Sequence, residues 1–333
     1  MRLTVISTIV LMAAFCACYG DEDRGFLQSP PVFIDNLYNF PLAGMGTTIP
    51  EPGETIPDFD SLVYEAKKAN LNGENVQPNL NARFTVTRIG ALHGFSKDWG
   101  AVLSIPVQRS AITGEIGGQP ATATNTTVGG ITMLGKRLLW RGRGSERAVV
   151  TFGMELPTGK DNGVFDQSNS VTNGYYTGYP QRYPLSWQPS SGTWNGYLAL
   201  AYSKTQERLS YEALAAGKFY TKGDEDVKIG NIFIGAATGT YGIARYAAIS
   251  ASAILQVQGD DSYPNAPPPG VEQPALAGTT LHGTTLYVAP SFRVKVMNTV
   301  TVGFGWRIPV IEPDDGLVPE VRGFLIIYPS TTR

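Results

Sequence analysis

The chain has 333 residues, of which 42% are apolar, 11% are aromatic and 16% are charged, and its formal net charge is −2 at pH 7. This composition excludes disorder over most of the length, because it supplies enough apolar side chains to bury a core. The small net charge gives no electrostatic reason to expect nucleic acid as a partner. Two histidines and two cysteines leave little material for a metal site or a disulfide framework.

The N-terminus has the pattern of a signal peptide. Arg2 precedes a short apolar run over residues 3–15, and Cys18 and Gly20 stand at the small-residue positions that favour cleavage before Asp21. This run is too short to cross a bilayer as a helix. We therefore expect residues 1–20 to direct export, with lipidation at Cys18 as the competing interpretation.

Residues 21–60 predict an irregular periplasmic extension, because prolines recur at positions 30, 31, 41, 50, 52 and 57. From residue 61 the chain changes to strand-length segments of β-branched and aromatic residues. No later window offers 18 uncharged apolar residues, which excludes a helical membrane span. Residence in a membrane would then require a β-barrel.

Period-two alternation is the main signal over residues 61–328. It is clearest between Thr299 and Val310, where apolar side chains occupy one face and Thr, Gly or Arg the other. Twelve predicted strands span residues 61–69, 80–91, 98–108, 127–139, 147–157, 194–204, 208–220, 227–238, 243–257, 283–294, 299–310 and 319–328. Many of them exceed the usual strand length of about 5–6 residues and match the roughly 9–11 residues of a transmembrane strand.

The connectors alternate in length along the chain. Those after even-numbered strands are short, as at 205–207 and 295–298, whereas 109–126, 158–193 and 258–282 after odd-numbered strands are long. Alternate connectors of an antiparallel meander lie at opposite ends, so this parity is typical of an outer-membrane barrel with short periplasmic turns and long extracellular loops. We predict an all-β, up-and-down transmembrane barrel of about twelve strands. The alternative is a secreted, soluble β-sandwich, which shows the same alternation.

Several short motifs extend this prediction. The segment Leu156-Pro157-Thr158-Gly159-Lys160 closes an alternating strand, and Trp99-Gly100 and Ile105-Pro106-Val107 lie on an earlier one. With these motifs the chain from Thr48 onward resembles the outer-membrane family named for meta-pathway phenol degradation, also described as a transporter family. The resemblance implies an outer-membrane channel, with hydrophobic or aromatic compounds as its candidate cargo.

The same resemblance marks a departure at the C-terminus. Barrels of this kind end on an aromatic residue that the outer-membrane assembly machinery reads, but here Tyr328 is followed by five further residues. Either the assembly signal lies internally, within residues 324–328, or assembly of this barrel is unusual.

If the apolar faces contact lipid, the opposite faces line the lumen. The charged side chains expected there are Glu155, Glu212, Lys218, Arg293, Lys295 and Arg307. An Arg or Lys facing lipid at the membrane midplane costs about 2–4 kcal/mol, which favours the inward assignment. These side chains either set the selectivity of a water-filled pore or pair with one another and fill it.

Aromatic residues near the strand ends are expected to form girdles at the level of the lipid headgroups. They are Trp99, Trp140, Trp194, Tyr202, Tyr211, Tyr220, Tyr246, Trp306 and Tyr328.

These patterns favour a passive channel for small solutes in the outer membrane, with outer-membrane lipid, the solute and the assembly machinery as partners. A structural or adhesive barrel with a filled lumen is the alternative. An enzyme is not expected. The sequence has two histidines, His93 and His282, and neither lies in a recognisable catalytic motif, although Ser96 stands three residues after His93. No cofactor or metal is expected.

Overall fold

The computed structural model describes residues 45–71, 73–75, 81–116, 119–142, 145–159, 167–168, 190, 192–222, 228–244, 246–260, 283–297, 300–313, 316–319 and 322–329. Regular structure in these ranges is almost entirely β-strand. Across the same ranges, no helix has the length and apolarity needed to cross a membrane.

Twelve antiparallel strands form the wall of a closed barrel in the described part of the chain. The strands are β1 (Thr55–Leu71), β2 (Asn81–Gly94), β3 (Trp99–Ile116), β4 (Gln119–Val128 and Thr132–Arg141), β5 (Arg147–Glu155), β6 (Asn195–Gln206), β7 (Leu209–Tyr220), β8 (Ile232–Ala244), β9 (Ala247–Gln258), β10 (Gly283–Met297), β11 (Val300–Ile311) and β12 (Gly316–Pro319 and Arg322–Pro329). The predicted fold class and strand number are therefore confirmed.

Two of these strands are interrupted. The first part of β4 pairs with residues 107–116 of β3, and its second part pairs with residues 99–104. Both parts therefore lie beside the same strand, on either side of a break at 129–131. Similarly, both parts of β12 pair with β1. Two further strands of two residues each, Glu74–Asn75 and Gln167–Ser168, extend the sheet at its rim.

Each strand pairs with its neighbours along the chain, and β12 closes the barrel. Leu325 of β12 lies opposite Phe304 of β11, while Phe324 lies opposite Leu62 of β1. Closure leaves no open edge, so the backbone N–H and C=O groups along the wall find partners within the sheet.

Side chains alternate between the interior and the outer surface, as the pleat requires. In β9 the alternation is unbroken from Ala248 to Gln258, with every second residue buried. The outward positions carry exposed apolar side chains around the whole wall, among them Leu103, Met133, Phe152, Leu198, Phe233, Leu255, Val288 and Phe304. Such a surface is unfavourable in water and suited to lipid.

Short connectors join the strands at one end of the barrel and longer ones at the other, and one connector differs from its predicted length. Short links at 95–98, 142–146, 207–208, 245–246 and 298–299 define the short-turn end, and the links at 156–194 and 259–282 lie at the opposite, long-loop end. The prediction of a long connector over 109–126 is wrong, because β3 continues to Ile116 and β4 begins at Gln119.

The extended hairpin has a physical basis in the sequence. Ser110 and Ile112 are buried, continuing the inward face of β3, and Ile116 at its end pairs with Gln119. With 18 residues, β3 is longer than the roughly 9–11 residues that a membrane crossing needs.

The first strand begins earlier than the predicted barrel boundary at residue 61. Thr55 lies opposite His93, and pairing continues through residues 56–60 to the short-turn end of β2. These residues therefore belong to the wall, although the sequence analysis placed them in the extension.

The outward face of β11 gives a test of the membrane assignment. Phe304→Arg places a charge among exposed apolar side chains in the middle of the wall, and we expect it to lower the free energy of unfolding in lipid vesicles by about 2–4 kcal/mol. Tyr246→Arg, in the exposed link at the short-turn end, is the matched control and should cost about 0–1 kcal/mol. Equal effects of the two changes would mean that Phe304 does not face lipid.

The orientation of the barrel can be tested by proteolysis of intact cells. We expect added protease to cut within 160–189 and 261–282 and to spare 207–208, because long connectors of outer-membrane barrels face outside. The paired hairpin over 109–126 should also resist cleavage. First cleavage at 207–208 would reverse the predicted topology.

Candidate functional site: the barrel interior

Near the long-loop end, Glu155 is held by three inward side chains. Lys218 Nζ lies 2.9 Å from Glu155 Oε2, and the Tyr197 hydroxyl donates to the same oxygen at 2.6 Å. Asn195 Nδ2 donates to Oε1 at 3.2 Å. Both members of the ion pair are at most 3% exposed, and Lys218 Nζ also lies 4.8 Å from the centre of the Tyr220 ring. This group ties β5, β6 and β7 together.

Leu156 and Thr158 of the predicted family signature form hydrogen bonds next to this group. Leu156 N donates to the Ile131 carbonyl at 2.8 Å, and Ile131 N donates to Thr158 Oγ1 at 3.0 Å. These bonds attach the end of β5 to the break in β4. A Cβ at Gly130 would lie 2.6 Å from Glu155 Cγ, so a larger residue would displace the carboxylate.

The remaining signature residues have simpler placements. A Cβ at Gly159 would lie within 2.6 Å of the Ser190 side chain, so this turn also needs a glycine. Pro157 is exposed, and Lys160 lies outside the described residues. The signature thus has a structural role in the described part of the chain.

Nearer the short-turn end, an ion pair that the sequence analysis missed joins β1 to β2. Arg88 Nη2 and Nε donate to Asp60 Oδ1 at 2.8 and 3.0 Å, and both side chains are at most 4% exposed. Asp60 was missed because it fell in the predicted extension. Arg88 lies on a strand whose buried face is otherwise apolar, which obscured its alternation.

The chain segment before β1 enters the lumen from the short-turn end. Met45 is fully buried and Lys136 Nζ donates to the Gly46 carbonyl at 2.6 Å. Thr47 N donates to Glu212 Oε1 at 3.3 Å, and the Thr47 and Ser203 hydroxyls are 2.8 Å apart. We call residues 45–50 the lumen segment. It contacts β4, β6 and β7 from inside, a placement that no local sequence pattern predicts.

The other predicted lumen residues are also on inward positions. Arg293 and Arg307 are each 1% exposed, and Lys295 is half-buried, two residues nearer the short-turn end than Arg293. The guanidinium of Arg307 lies 4.4 Å from the centre of the Tyr287 ring. Glu212 lies within electrostatic range of Lys136 and Arg293.

Glu155 and Glu212 lie at opposite ends of the barrel. Glu155 ends β5 at the long-loop end, whereas Glu212 is near the start of β7 at the short-turn end. His93 Nδ1 is 2.8 Å from the Thr55 hydroxyl, and Ser96 Oγ accepts from Trp99 N in the turn. His282 lies outside the described residues.

Apolar side chains also face the interior, in greater number than the sequence analysis expected. On adjoining strands these are Leu62, Ala66, Ala82, Phe84, Phe324 and Ile326, and elsewhere Leu214, Ile232, Ile234, Ile254 and Ala289. The interior is therefore mixed in polarity, with apolar patches beside the charged groups.

The predicted aromatic girdle is exposed with one exception. Trp99, Trp140, Tyr202, Tyr211 and Tyr246 are exposed around the short-turn end, and Trp194 and Trp306 are exposed elsewhere on the wall. Tyr220 is wrong as a girdle residue, because it is 5% exposed and points inward beside Lys218. The side chain of Tyr328 lies outside the described residues.

Comparison with known proteins identifies the fold. No family model matches the sequence, and no curated protein matches it. Among solved structures, the chain is similar to the COG4313 outer membrane channel from Pseudomonas putida F1, with a TM-score of 0.62, 12% identity, and coverage of 85% of this chain and 97% of that chain.

Two other similarities are lower. The translocator domain of autotransporter NalP from Neisseria meningitidis has a TM-score of 0.47 at 10% identity, covering 85% of this chain and 90% of that chain. The TodX deltaS2S3 mutant monoaromatic hydrocarbon channel has a TM-score of 0.47 at 9% identity, covering 85% and 91%. The likeness to the Pseudomonas putida F1 structure, at 12% identity, shows a shared fold and nothing about cargo.

The ion pair between Glu155 and Lys218 is expected to stabilise the wall. Lys218→Met should lower the free energy of unfolding by about 3 kcal/mol, because removing one partner leaves a buried charge uncompensated. The double change Lys218→Met with Glu155→Gln should recover at least about half of that loss. Urea unfolding of the barrel in vesicles, followed by gel mobility, measures both.

A matched control is available on the outer surface. Lys204 forms a 2.7 Å ion pair with Glu146 there, and Lys204→Met should change the free energy of unfolding by less than about 1 kcal/mol. If Lys218→Met costs no more than this control, the interior pair does not support the fold.

Proposed function

We propose that the protein is an outer-membrane channel through which small solutes pass passively. A closed barrel with apolar side chains outside and charged and hydroxyl side chains inside supports this proposal, because such a wall separates lipid from a polar interior. The signal-peptide pattern at residues 1–20 supports export. The structurally similar protein from Pseudomonas putida F1 is itself an outer membrane channel.

The interior divides into supporting and solute-facing side chains. Glu155 and Lys218 form an ion pair that holds three strands together. Because their charges cancel, they contribute little to the electrostatic field that a passing solute meets. Glu212 lies within electrostatic range of Lys136 and Arg293, and we assign Glu212, Arg293 and the half-buried Lys295 to the solute path. Arg307, stacked on Tyr287, narrows the path nearer the long-loop end.

The cargo we favour is small and partly apolar. A barrel of 12 strands has an interior between the side-chain-filled eight-stranded case and open 16-stranded porins. The inward residues Leu62, Phe84 and Ile326 supply an apolar surface on one side of that interior. Hydrophobic or aromatic compounds of low mass suit such a lining better than large hydrated ones.

The lumen segment is the observation that favours a second function, a structural or adhesive barrel with a filled lumen. Its contacts with Lys136, Glu212 and Ser203 place backbone across part of the interior. We propose that the segment narrows the path without closing it. Conductance measurements separate the two functions.

Purified full-length protein in planar bilayers should give small conductance steps. Deleting residues 21–50 leaves β1 intact and should raise the single-channel conductance by about twofold or more, because the lumen segment no longer occupies the interior. The control is Thr47→Cys with Ser203→Cys, whose oxidation locks the segment in place and should leave conductance at or below the native value.

One result would contradict the channel, and another would contradict the position of the lumen segment in the path. One is an absence of steps from both the full-length protein and the deletion variant, although each shows the heat-modifiable mobility of a folded barrel. The other is equal conductance before and after deletion. The first result favours the structural barrel, and the second means that the segment does not border the path.

A further inference from the structure

Arg293 is a buried arginine whose partners are all uncharged. Its Nη2 donates to Thr240 Oγ1 at 2.6 Å and to Ser250 Oγ at 2.9 Å, and these two hydroxyls are themselves 2.9 Å apart. The side chain is 1% exposed on the inward face of β10. The hydroxyls fix the guanidinium against the wall of β8 and β9.

Two nitrogens of the same guanidinium are left over. Nε and Nη1 have no hydrogen-bond partner among the residues that the structure describes. Arg88 shows the contrast, because its guanidinium meets the Asp60 carboxylate through both Nε and Nη2. Buried donors without an acceptor are costly, and a guanidinium forms its strongest hydrogen bonds with anions, so these donors favour an anion.

The wall beside Arg293 continues with hydroxyl groups and then becomes apolar. Ser291 lies opposite Ser250 in the register, and its buried Oγ also lacks a partner within the described ranges. Thr238 and Ser252, whose hydroxyls are 2.7 Å apart, extend the hydroxyl row. The buried Ala289 lies opposite Ser252 in the register.

We propose that Arg293 and the hydroxyls of Ser291, Thr240 and Ser250 form a binding site for a small organic monocarboxylate. The carboxylate accepts from the free guanidinium nitrogens, and a short apolar body lies toward Ala289. A monoanion fits because two donor nitrogens of one guanidinium lack an acceptor among the described residues, and the Glu212 carboxylate, within electrostatic range of Arg293, opposes a dianion. This site rests on the proposed function, in that the ligand reaches it through the lumen.

Binding can be measured without conductance. Saturation-transfer NMR on the detergent-solubilised full-length protein should show butyrate bound, and butan-1-ol, its neutral counterpart, bound at least about tenfold more weakly, since charge-assisted hydrogen bonds are the stronger kind. Inorganic phosphate should not displace butyrate at equal concentration. Equal signals from butyrate and butan-1-ol, or displacement by phosphate, would overturn the monocarboxylate assignment.

Variants locate the site. Arg293→Gln should reduce butyrate affinity by about tenfold or more, and Arg293→Lys should retain part of it, because Lys keeps the charge without the planar donors. Lys204→Gln, which removes a positive charge from the outer surface, is the matched control and should bind as the native protein does. Native affinity in Arg293→Gln would place butyrate elsewhere.

Planar bilayers then separate this site from the channel itself. If the native protein conducts and butyrate reduces its conductance in a saturable way that Arg293→Gln abolishes, both proposals stand. Conductance that butyrate leaves unchanged, together with no NMR signal, removes the site and retains the channel. NMR binding that Arg293→Gln abolishes, in a protein that does not conduct, retains the site and removes the channel.

Discussion

The pairing of β12 with β1 is the contact on which the rest of the structure depends. An open sheet would leave a row of unpaired N–H and C=O groups, and such groups have no water to bind inside hydrocarbon. Once Phe324 lies opposite Leu62 and the wall is closed, every second side chain is forced into a narrow interior. Alternate side chains along each strand then face the interior and the outer surface. A shift of the pairing register by one residue would exchange the two sets.

Closure also explains why the interior charges are arranged in separate groups. Asp60 and Arg88 join two neighbouring strands, and Glu155 and Lys218 join two strands on either side of β6. A buried charge needs a partner, and a narrow interior brings partners within reach. Arg293 differs because its neighbours on β8 and β9 offer hydroxyls only. The interior thus contains ion pairs that support the wall and, at Arg293, donors with no hydrogen-bond partner among the described residues.

Much of the fold could be predicted from the sequence, because the outward faces of strands such as β11 are apolar without interruption. Prediction was weaker for β2, where the inward face carries Phe84 and Val86 and the outward face carries Thr85 and Thr87. The inward face of β2 is thus apolar and its outward face is polar, which is the opposite of the pattern expected for a strand between a polar lumen and lipid. The lumen segment was missed for another reason, since its position depends on contacts with Lys136, Glu212 and Ser203 on three distant strands.

The Leu-Pro-Thr-Gly segment shows how far a short motif can carry a functional prediction. Its bonds to Ile131 and the close approach at Gly130 attach β5 to the break in β4 and leave room for the Glu155 carboxylate. Among the described residues these contacts lie within the barrel wall. In the proposed channel, the choice of solute would depend instead on interior side chains such as Arg293 and Ser291, which lie on other strands.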